Sequence, residues 1–150
     1  MTEAKNDIYF VASLIEAAAR KTHNSVSTIA KKMGEDGIRK TYANAKTSHC
    51  LPMDQNVDEL VEKFGIVSGS YYPLAAKPKN IVYPSATQIG KNYANIVEAT
   101  EPEESKYPEA LVRVMESKVP QWMDNYKSAF FYSPADYMVY CYQMSFNSEE

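Results

Sequence analysis

Along most of this chain apolar residues recur every three or four positions, and each run closes on a helix-ending signal. The first run is Ile8, Val11, Leu14, Ile15, Ala18 and Ala19, one broad helical face. Asn6 or Asp7 can cap its start, and Arg20 and Lys21 suit the negative end of its dipole. A shorter helix follows, capped by Ser25 or Ser27, carrying Val26, Ile29, Ala30 and Met33, and stopped by Gly34. A third is expected over residues 36–44 with Ile38, Tyr42 and Ala45 inward. Residues 47–52 are read as a connector. Val57, Leu60, Val61 and Phe64 then mark a fourth helix that Gly65 ends.

Residues 66–84 break this rhythm. Pro73, Pro78 and Pro84, with Ser68, Gly69 and Ser70, exclude a regular helix. Yet Ile66, Val67, Tyr71, Tyr72, Leu74, Ile81, Val82 and Tyr83 are too apolar for a free linker. The segment reads as an extended strap crossing the helices, or as a short edge strand over residues 81–83. Helical signals then resume. Pro84 or Ser85 opens a fifth helix with Ile89, Tyr93, Ile96 and Val97 inward. An acidic loop over residues 101–104 leads to a sixth, with Pro108 in its first turn and Leu111, Val112, Val114 and Met115 as its apolar set. Pro120 opens a seventh bearing Trp122, Met123, Tyr126, Ala129 and Phe130. Ser133, Pro134 and Asp136 announce the eighth, which is apolar on every side and therefore a core helix or half of an interface.

The expected fold is all-α: a compact bundle of about eight helices with a proline-containing strap in the middle. It divides into an N-terminal helical subdomain (residues 1–66), the strap (67–83) and a C-terminal helical subdomain (84–150), joined on one shared core. At 150 residues, 45% hydrophobic and 23% charged, such a chain folds without a metal or disulfide staple. The apolar stretch over residues 8–19 is interrupted by Ser13 and Glu16, is too short for a bilayer and lacks a basic leader. It is read as a helix of a cytoplasmic protein with no membrane partner. Cys50 and Cys141 are expected as buried, reduced thiols.

Motifs for chemistry are sparse. His23, His49, Cys50 and Cys141 are the whole supply of soft metal ligands and show no CxxC or HxxxH spacing, so no metal is expected. Adjacent His49 and Cys50 diverge too much for a nucleophile and its base, and Cys141 sits in an apolar helix that would keep it inert. The five glycines form no phosphate-binding loop. The pairs Asp58/Glu59 and Glu103/Glu104 read as solvated charge. No catalytic residue and no cofactor are assigned.

Two patterns point to binding instead. The whole chain carries a net charge of −3, yet residues 20–46 concentrate basic residues around a helix, an Ala30-to-Gly34 step and a following helix. This resembles a degenerate helix-turn-helix over residues 25–46, with Lys31, Lys32, Arg39, Lys40 and Lys46 as candidate nucleic-acid contacts. The second pattern is aromatic. With 12 Tyr, 5 Phe and 1 Trp, the chain crowds rings toward its C-terminal end. Tyrosine pairs an apolar ring with a polar tip and is favoured at interfaces. Trp122, Tyr126, Phe130, Tyr137 and Tyr140 are therefore the candidate contacts for a protein partner or a second copy of the chain.

Residues 7–66 carry Asp7-Ile8-Tyr9-Phe10-Val11, Leu14-Ile15-Glu16, a short helix ending at Met33-Gly34, Ile38 and Tyr42, His49, and Val57-Asp58-Glu59-Leu60-Val61. In this pattern the chain resembles a family of small uncharacterised helical bacterial proteins, often encoded beside toxin-like genes of ADP-ribosyltransferase type. The resemblance implies a helical partner-binding protein, antitoxin-like or regulatory, and no enzyme. Together these observations predict a non-enzymatic bacterial interaction protein, a DNA-binding regulator as the alternative, and an enzyme without recognisable motif as the third reading.

Overall fold

The computed structural model describes residues 1–73 and 83–147. Within them the fold is all-α, with helices α1 (Glu3–Thr22), α2 (Val26–Ala43), α3 (Ala45–Ser48), α4 (Met53–Lys63), α5 (Ala86–Thr100), α6 (Tyr107–Met115), α7 (Val119–Asp124) and α8 (Ala135–Asn147). None of these is long and apolar enough to cross a membrane.

Helix α1 is the central post. It starts one turn before the expected cap because the Thr2 hydroxyl accepts from Lys5 N–H at 3.1 Å and Glu3 sits in the positive first turn. Its chief neighbour is α5, and α2, α3, α4 and α6 also pack on it. The α1–α5 crossing is close because α5 presents Gly90 to α1. A β-carbon on Gly90 would lie 2.7 Å from the Ser13 backbone nitrogen and Cα. Ser85 and Gln88 set the start of α5 through a reciprocal capping box. One continuous apolar cluster runs from Ala4 through Ile15, Ile38 and Leu60 to Tyr93, Leu111, Met123 and Tyr142. The segments on both sides of the strap thus share it.

The expected second and third helices are the two parts of α2, separated where the backbone breaks at Gly34. Gly34 adopts φ 71° and ψ 168°, which a residue with a β-carbon rarely tolerates. Gly37, three residues on, is buried, and a β-carbon there would lie 2.7 Å from the Phe64 ring. The absent side chain admits the ring of Phe64, the residue that caps α4. The connector over residues 47–52 is shorter than expected, since α3 occupies its beginning.

The described part of the strap is pinned to the C-terminal end of α1. Gly69 N–H donates to Thr22 C=O at 2.8 Å and Tyr71 N–H to His23 C=O at 2.9 Å. Asn24 Nδ2 donates to Val67 C=O at 3.0 Å, and the Tyr72 ring stacks on His23 with centroids 4.1 Å apart. The alternative of an edge strand over residues 81–83 falls largely outside the described residues.

The seventh helix is shorter than its apolar pattern predicts. It ends at Asp124, and residues 125–129 turn before a single 3-10 turn at Phe130–Tyr132. Lys127-Ser128 interrupts the apolar spacing, and local bonds from Asn125 and Ser128 side chains compete with helical ones. Asn92 on α5 holds this turn by donating to Phe131 C=O at 2.8 Å.

Candidate functional site

Helix α8 packs on α5 with one side only. Met138, Tyr142 and Ser145 are buried, while Tyr137, Tyr140 and Met144 are exposed, Tyr140 by 59%. With half-buried Cys141 these three follow the i, i+3, i+4, i+7 rule and form one stripe down the helix. Tyr132, 70% exposed, lies just before α8, and Phe146 near its end is exposed with its edge to Tyr142. Asp136 is the sole charged residue between 135 and 147. This stripe carries no charge and exposes aromatic and sulfur-bearing side chains that water solvates poorly.

The five aromatic candidates therefore divide. Tyr137 and Tyr140 lie on the surface. Tyr126 and Phe130 are buried, and Trp122 is half-buried with its ring 5.2 Å from Phe130. The early end of α7 explains this: the turn after it folds Tyr126 and Phe130 back onto the core, Tyr126 lying 5.7 Å from Phe131. The two groups still touch, since Phe130 and Tyr137 ring centroids are 6.5 Å apart. Buried Tyr126 and Phe130 are thus a platform under the surface rather than part of it. Met144 belongs to the stripe although the sequence reading did not single it out, whereas Phe146, half a turn away around α8, is exposed beside Tyr142. The i, i+7 relation between Tyr137 and Met144 is the signal that would have found Met144.

The basic candidates are all exposed, but two are engaged. Arg39 bonds Asp36 and Glu35 at 2.9 Å each and also pairs with Glu109 of α6. Lys46 bonds Glu3 of α1 at 2.9 Å. Lys31, Lys32 and Lys40 complete the set on α2. No turn separates the two halves of α2 beyond Gly34, so the spacer of a helix-turn-helix is absent there. The expected burial of the thiols is also corrected: Cys50 is exposed in the turn after α3 and Cys141 is half-buried. His49 follows α3 and sets its ring edge-on to Phe10 at 5.5 Å. Asp7, Phe10 and His49 line one recess beside Lys46. Among the described residues no group of three or more His, Cys, Asp or Glu could hold a metal ion.

A polar cluster that the sequence does not announce lies between α1, α7 and the strap. Glu16, on the buried side of α1, pairs with Arg20 one turn later, Oε1 to Nη2 at 3.3 Å. Asp124 at the end of α7 accepts from Tyr71 Oη at 2.5 Å. Burial, and then the neighbouring Asp124 charge, push the Glu16 carboxyl up to about 7, while Arg20 pulls the other way. Burial likewise raises Asp124, and it pushes Tyr126 up to about 12 and Tyr93 well above its ordinary range. His23 caps α1 in the left-handed conformation, φ 56°, and forms part of the same wall.

No protein-family model, curated protein or solved structure matches this chain at a meaningful level.

Proposed function

We propose that the protein is a non-enzymatic interaction protein that pairs with a second copy of itself through the stripe Tyr137, Tyr140, Cys141 and Met144. The observation that carries this reading is the uncharged, aromatic, exposed face of α8. A surface without like charges can meet its own copy around a two-fold axis without repulsion. The resemblance over residues 7–66 supports a place in a bacterial two-gene module as the neutralising or regulatory member, acting in the cytoplasm. Nucleic-acid binding receives less support, because Arg39 and Lys46 are held in ion pairs.

Cross-linking tests the pairing. Cys141 is the middle residue of α8, so a two-fold contact between α8 helices brings the two Cys141 thiols together. A short bis-maleimide is expected to yield a covalent dimer with Cys50→Ser and none with Cys141→Ser. A dimer that depends on Cys50, or no dimer from either variant, overturns the contact.

A further inference from the structure

The recess beneath the strap has a volume of about 100 Å³ and holds more acid than strong base. Glu16 and Asp124 contribute two carboxylates against the single guanidinium of Arg20, and His23 stacks against Tyr72 in the wall. Asp124 is served by Tyr71. Glu16 is 96% buried, since its exposure is 4%, yet its hydrogen bond from Arg20 Nε is long at 3.4 Å. Arg20 Nη2 is itself buried; it faces Glu16 Oε1 at an ion-pair distance of 3.3 Å but makes no hydrogen bond among the described residues. The buried Glu16–Arg20 ion pair, held at 3.3–3.4 Å without a close hydrogen bond, therefore lines the cavity. The rings of Tyr71, Tyr72 and Tyr126 complete its walls. Aromatic faces attract cations, and a buried carboxylate gains most from a positively charged donor.

We propose that this recess binds a small primary ammonium compound that carries a neighbouring hydroxyl or carbonyl oxygen. The ammonium donates to Glu16 and Asp124 and balances the second carboxylate. The oxygen accepts from Arg20 Nη2. The cavity, about 100 Å³, admits a small ammonium group and its neighbouring oxygen. The groups that face Glu16 are Arg20 on its own helix, Asp124 on α7, Tyr71 of the strap, Tyr93 of α5 and Tyr126 after α7.

Amide NMR spectra of the full chain, titrated with ethanolamine hydrochloride at constant ionic strength, test this. Saturable shifts are expected at Ala19, Arg20, Asn24, Tyr72 and Asp124. Glu16→Gln is expected to remove the saturation. With the Glu16 carboxyl near 7, wild-type affinity is expected to be about tenfold weaker at about pH 6 than at about pH 8, since ammonium prefers the ionised carboxylate. That pair of measurements needs no variant and stands if Glu16→Gln does not fold. Sodium acetate is expected to give no saturable shift. The proposal is overturned if ethanolamine does not saturate, if Glu16→Gln titrates like the wild type, if the affinity is equal at both pH values, or if acetate saturates the same amides.

Discussion

Glu16 is the residue whose environment departs furthest from what its side chain prefers in water. Folding raises its carboxyl from 4.5 to about 7, so the native state holds a proton that the unfolded state has lost across that interval. Stability from this residue is full below 4.5 and falls as pH rises toward about 7, by on the order of 3 kcal/mol. Asp124 is shifted in the same direction and adds to the slope. Thermal unfolding between about pH 5 and about pH 7 is expected to show a falling midpoint that Glu16→Gln flattens. A flat wild-type profile would contradict the burial of an acid here. The same scale separates the basic residues of α2. Arg39 stands among Glu35, Asp36 and Glu109, so Arg39→Glu would place four carboxylates together. It is expected to lower the melting temperature, whereas Lys31→Glu leaves it nearly unchanged. Equal melts for the two variants in circular dichroism would mean that the Arg39 network does not tie α2 to α6.

The elements are held by close approach as much as by apolar burial. At the α1–α5 crossing a methyl group on Gly90 has no room, because the nearest obstacle includes the Ser13 backbone and not a flexible tip. Gly90→Ala is expected to lower the unfolding free energy by about 3 kcal/mol, read by urea denaturation, and a loss below about 1 kcal/mol would contradict the crossing. Much of the element pattern was legible in the sequence. Periodicity and capping residues marked the helices later found as α1, α4, α5, α6 and α8, and Gly34 marked the break in α2. The misses have local causes. Thr2 as a cap lies outside the apolar run it serves, and α7 stops where side chains of Asn125 and Ser128 compete for backbone bonds. The candidate surface was half legible. Aromatic count drew attention to the right end of the chain, but composition cannot tell a ring folded back by a turn, such as Tyr126, from one on an open helix face, such as Tyr140. The polar recess was not legible, because Glu16, Tyr71 and Asp124 are far apart in sequence and meet only through the strap.

At the scale of the whole molecule, α1 and α5 bind the two sides of the strap into one core, and α8 covers α5 with its inner side only. The outer side remains as aromatic surface that water solvates poorly, which the proposed association with a second copy would remove from solvent. Trp122 is half-buried with its ring on Phe130, so Trp122→Ala would test packing, whereas Tyr140→Asp probes the exposed surface. The direct measurement is the mass in solution by light scattering after size exclusion. The wild-type chain is expected to elute at twice 16.9 kDa, and Tyr140→Asp, with an unchanged circular dichroism spectrum, at the mass of a single chain. A wild type that remains a single chain at high protein concentration, or a dimer that Tyr140→Asp leaves intact, would contradict the assignment of α8 as the pairing surface.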